Sequence, residues 1–186
     1  MKWHRRKDAR KSIRAVVAQG LARLLLAILL AGCTVEPMTE ITTGILFYGQ
    51  TRDVEGASMH FAQARRALMK ERVDILSASM ELIDGSEGGR PDEVNSLMTQ
   101  LRLNTQVAMY SALRESQMLA DHARYADARK VCNEALRLAS DDEAVAARPS
   151  SAQRAERALE LRMEGYSYTV LRDSLQAKAI NMPAQE

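Results

Sequence analysis

The chain has 186 residues, 46% of them apolar and only 4% aromatic, with 26 Lys+Arg against 24 Asp+Glu. That length suits one domain of ordinary size with enough apolar content to bury a core. Few aromatics, nine Gly and four Pro argue against a β-sandwich or barrel, which needs many turns, whereas strong helix formers dominate the composition.

The formal charge of +2 mixes two unlike pieces. Residues 1–32 hold eight of the basic residues and one acid, Asp8, which leaves 18 basic against 23 acidic residues from position 33 onward, a net of −5. Once the first piece is removed, the working protein is mildly acidic. A nucleic-acid partner is therefore not expected.

Residues 1–20 form a basic, polar leader, and Leu21–Ala31 is a short apolar block interrupted by Arg23. The uninterrupted stretch Leu24–Ala31 is eight residues, roughly 12 Å as a helix. A bilayer core needs about 20 residues, so a permanent span is not expected. A charged leader, a short apolar block and then small residues describe a secretory signal. Leu30-Ala31-Gly32-Cys33 at its end resembles the lipobox of bacterial lipoproteins. That resemblance implies cleavage before Cys33, a diacylglyceryl group on its thiol and acylation of the freed amine. Several acyl chains satisfy the two-signal requirement for stable anchoring, which makes membrane lipid the first expected partner. Thr34, where an Asp would favour inner-membrane retention, implies the outer membrane and its periplasmic face. Lipidation of Cys33 leaves Cys132 as the one remaining cysteine, which cannot form an internal disulfide and is expected to be buried.

The expected division is a signal over 1–32, a lipidated N-terminus and tether over 33–52, and a helical domain over 53–186. Thr34–Thr43 reads as the tether, with Pro37 in it, and Gly44–Tyr48 as an apolar cluster near the membrane. From about Val54 to Ile83 the apolar spacing predicts helix, with Phe61, Ala64, Leu68, Leu76, Met80 and Ile83 near one face. Residues 84–91 hold three glycines and Pro91, the clearest loop in the chain. Pro91, Asp92 and Glu93 suit the start of a further helix, expected to end near Asp121–Arg124. A helix over Tyr125–Ala139, a linker over residues 140–151 and a last pair over Ala152–Glu164 and Tyr168–Ile180, turning at Gly165, complete the pattern. The expected fold is all-α, built of antiparallel helix pairs.

Arg124–Leu138 resembles the second helix of a tetratricopeptide repeat. Tyr125 takes the aromatic position before that helix, Ala128 and Ala135 the small positions where paired helices touch, and Cys132 the large apolar position between them. Met109–Asp121 would be the first helix, with Ser116 at its small position. Downstream, Tyr168, Leu175 and Pro183 fall at matching offsets, but Leu171 and Lys178 stand where small residues belong. Upstream, Ala57, Phe61 and Ala64 repeat the small-large-small spacing. A tetratricopeptide-like stack and a plain helical bundle both fit.

Chemistry-bearing motifs are sparse. His60 and His122 lack partners at zinc-ligand spacing, so no metal is expected. No nucleophile elbow is present, and the Gly85–Gly89 loop lacks the Lys-Ser/Thr of a phosphate cradle. Neither a catalytic residue nor a cofactor is expected. The methionines, among them Met59, Met69 and Met80, suit a core or a groove that accepts a partner helix. Arg65, Arg66, Lys70 and Arg72 form a basic strip with Glu71 among them. The expected function is that of a non-enzymatic outer-membrane lipoprotein, an adaptor of the pilotin kind with a protein partner in the cell envelope. A surface lipoprotein without a dedicated client and a cell-wall enzyme are the alternatives.

Overall fold

A computed structural model describes residues 36–84, 91–145 and 152–183. The signal and Cys33 lie outside the described residues, as do the glycine loop and the middle of the second linker. The described residues form six helices and no strand: α1 Pro37–Thr51, α2 Val54–Asp84, α3 Pro91–Asp121, α4 Tyr125–Val145, α5 Ala152–Arg162 and α6 Tyr168–Asn181. The fold is all-α, as the composition indicates. Among the described residues no helix is long and apolar enough to cross a membrane.

The helical unit begins earlier than the division at residue 53. Pro37 starts α1 in its first turn, where its missing N–H is no loss. Met38, Ile41 and Gly44 then recur at helical spacing and are buried. Residues assigned to a tether are therefore a packed helix. Gly44 sets how closely α1 meets α2: a Cβ there would lie 3.2 Å from the His60 Cβ and 3.3 Å from the Ala57 carbonyl oxygen.

α3 is the central helix. From Asn104 to Leu119 all but two of its positions are buried, on every side. α1, α2, α4, α5 and α6 all pack against it. Its neighbours run back along it. Arg72 of α2 donates to Thr105 at 2.8 Å, while Arg65, nearer the α2 N-terminus, pairs with Glu115, nearer the α3 C-terminus. α4 returns antiparallel after a turn of three residues in which Ala123 holds a φ of 58°. Ser116 and Cys132, equidistant from Arg124, meet across that hairpin.

Several polar groups enclosed around α3 are hydrogen-bonded across helices, whereas Ser111 Oγ and Gln106 Oε1 have no partner among the described residues. The Asn104 amide donates to the Leu68 carbonyl at 3.0 Å and to Glu71 at 3.1 Å. Gln106 donates to the Tyr166 carbonyl at 3.4 Å. Arg102 pairs with the buried Glu156 and lies 4.0 Å over the Tyr168 ring. These contacts position α5 and α6 against α3.

The last two helices depart from the expected pairing. α5 packs on α3, and α6 packs on α4 and α3, but α5 and α6 scarcely touch each other. Gly165 makes the turn between them at a φ of 85°, its N–H donating to the Glu160 carbonyl at 2.8 Å. Leu171, fully buried, stands where a closely paired helix would carry a small residue, and its bulk occupies the space of such a contact. The antiparallel arrangement recurs between α6 and α4: Tyr168 donates to the Ala139 carbonyl at 3.4 Å, and Arg129 to the carbonyls of Met182 and Pro183.

The face of α2 also differs from the expected one. Phe61, Ala64 and Leu68 are buried, but Leu76 and Met80 are 39% and 65% exposed. The buried line continues instead through Arg72, Ile75 and Ser79. Two polar residues in that line conceal it from an apolar pattern.

Candidate functional site

α2 and α4 flank α3 and scarcely touch each other, leaving an open groove of about 270 Å³ between them. Ala108 and Ala112 of α3 form its floor beside Asn104. Their spacing of four residues places both on one face, and their small side chains keep the floor low. Leu68 and Met69 line the α2 wall, and Val131, Ala135 and Leu138 the α4 wall. Arg65, Glu134 and Arg137 stand around the apolar lining.

The rim charges are constrained. Arg65 forms an ion pair with Glu115, whose side chain is 4% exposed. Burial pulls the Arg65 guanidinium below its ordinary range, and Glu134 across the groove opposes that shift. The Asn104 amide is committed to α2. What remains for a visitor is apolar contact from the floor and walls, framed by fixed charges. That combination suits an apolar side chain projecting from a helix or peptide.

The residues singled out as repeat-packing positions come together at the α3/α4 hairpin. Ala128 and Cys132 are fully buried, Ala135 is 5% exposed, and Tyr125 is partly buried against the core. Ser116, at the expected small position of the facing helix, is also fully buried. Burial pushes the Cys132 thiol above its ordinary range, while a hydrogen bond with Ser116 pulls the other way. Its neighbours Val131 and Ala135 reach the groove wall, so the tight hairpin and the groove share one helix. Cys33 lies outside the described residues.

The histidines have structural partners. His60 Nδ1 is 2.8 Å from Glu40, tying α2 to α1. His122 Nδ1 is 3.3 Å from the Tyr48 hydroxyl and 3.2 Å from the Met118 carbonyl, tying the end of α3 to α1. Among the described residues no group of three potential metal ligands occurs. The groove itself was not picked out from the sequence. Ala108, Ala112 and Ala135 were its signal, but alanines at helical spacing also mark ordinary packing.

No protein-family model, curated protein or solved structure matches this chain. Its function is read from its own residues.

Proposed function

We propose that the chain is a lipid-anchored, non-enzymatic adaptor of the outer membrane that holds or delivers another envelope protein. The anchor rests on Leu30-Ala31-Gly32-Cys33 at the end of a short apolar block. The adaptor role rests on one observation, the open groove with a floor of Ala108 and Ala112 between the walls of α2 and α4. Its apolar lining and charged rim suit protein contact better than chemistry, since they bring together no nucleophile and base. A tetratricopeptide-like stack is the finer reading of the fold. The residues that support it are Ala128, Cys132 and Ala135 in α4, with Ala57, Phe61 and Ala64 in α2.

The test is deletion followed by fractionation of the cell envelope. A larger envelope component should lose its outer-membrane location, and wild type should restore it while Cys33→Ala should not. Normal placement of every envelope machine in the deletion strain would defeat the proposal. Lipid labelling of wild type but not of Cys33→Ala tests the anchor separately.

A further inference from the structure

α2 carries more apolar surface than its neighbours cover. Its line Leu68, Arg72, Ile75 and Ser79 is buried. One residue on, and so about 100° round the helix, lies a second line: Met69, Val73, Leu76 and Met80. These four are 46%, 57%, 39% and 65% exposed. Their steps of four, three and four residues are those of a coiled-coil seam. The charges beside the seam are segregated. Arg66 and Lys70 stand at one end and Glu81 at the other, with Asp74 at the middle, all exposed. Among the described residues none of these four has an ion pair or hydrogen bond.

A seam with one positive and one negative end complements itself when two copies run antiparallel. We propose that Met69, Val73, Leu76 and Met80 are where two copies of this chain pair, about a two-fold axis between Val73 and Leu76. Met69 of one copy then meets Met80 of the other, and Val73 meets Leu76. The same axis brings Arg66 and Lys70 within about a turn of Glu81 on the second copy. Such an interface is isologous and closes at the dimer. Four apolar side chains per copy make a patch smaller than the roughly 800 Å² per partner of a standard interface, so the pairing is weak and concentration-dependent. The pairing goes beyond the adaptor reading, and Met69, which also lines the α2 wall of the groove, belongs to both surfaces.

Sedimentation velocity of the purified full chain in a mild detergent, over a range of concentrations, tests the pairing. The expected result is a reversible dimer that Leu76→Glu abolishes. Ile180→Glu, at a 77% exposed apolar residue of α6, should leave it intact. Lys70→Glu and Glu81→Lys should each raise the dissociation constant by about tenfold, and combining them should restore it. Equal helical circular dichroism shows that the variants fold. In mixed ¹⁴N and ¹⁵N chains, carbodiimide should join Lys70 to Glu81 between copies. Within one helix the two are eleven residues apart, roughly 16 Å, too far for a zero-length link. A monomer at every concentration, a dimer indifferent to Leu76→Glu, or a charge swap without rescue would overturn the pairing. A monomer that loses a co-purifying protein on Leu76→Glu would also overturn it, assigning the seam to that protein.

Discussion

The second helix of the α1/α2 pair buries Ala57, Phe61 and Ala64, and that of the α3/α4 pair buries Ala128, Cys132 and Ala135, whereas α6 carries Leu171, Leu175 and Lys178 at the same spacing. The first two pairs close into tight hairpins. The third splays, and α6 packs on α4 and α3 rather than on α5. Chain connectivity is the same in each case: a short turn follows one helix and leads into the next. The difference lies in side-chain volume at two positions per helix. Small residues let adjacent helices approach; large ones reach past the neighbour in sequence and fill a core formed by others.

This contrast can be broken from either side. Leu171→Ala should cost roughly 2–5 kcal/mol, because the lost side chain leaves a cavity among α3, α4 and α6. Ala128→Leu should cost roughly 1–3 kcal/mol for the opposite reason, by forcing α3 and α4 apart. Urea denaturation followed by circular dichroism measures both. If Ala128→Leu were neutral, the α3/α4 contact would not depend on small residues.

Alkaline pH examines the same hairpin through Cys132. Burial raises its folded-state pKa, and burial also raises that of Tyr110 despite the opposing Arg114 guanidinium. The folded state thus holds these protons more tightly than the unfolded chain. Their stabilisation is fully present below the unfolded pKa values and is lost as pH rises from those values through the raised folded-state ones. The urea midpoint should fall on that alkaline side, and Cys132→Ala should remove the thiol part of the slope. At neutral pH, thiol reagents should modify Cys132 only as fast as the hairpin opens.

The smallest expected effects compare two glycines of α1. Gly44→Ala should cost about 1 kcal/mol, since its Cβ would press on the Ala57 carbonyl and the His60 Cβ. Gly49→Ala meets nothing within 4 Å and should gain about 0.5 kcal/mol from the better helix former. Thermal unfolding of the two variants should shift in opposite directions.

Much of this organisation was legible in the sequence. Gly and Pro marked the breaks after α2, α4 and α5, and the spacing of Ala128, Cys132 and Ala135 marked the closed hairpin. The last pair was expected to close like the others, although Leu171 and Lys178 stand where small residues belong. Other features were hidden by polar residues in buried places. Arg72 and Ser79 interrupt the apolar line of α2, so an apolar count selects Leu76 and Met80 instead. Whether Glu115 or Glu156 is enclosed depends on Arg65 or Arg102 arriving from far along the chain. Pro37 reads as part of a tether until Ile41 and Gly44 are seen against α2. The groove needs three helices at once, and no single segment carries its signature.

The central proposal is that Cys33 carries a lipid anchor and that the groove receives one envelope partner. Affinity purification of tagged wild type, Cys33→Ala and the groove-wall variant Leu138→Ser from detergent-solubilised membranes tests it most directly. One dominant envelope protein should co-purify with wild type, weaken with Leu138→Ser and be lost or displaced with Cys33→Ala. The absence of any specific partner from all three would contradict the adaptor account.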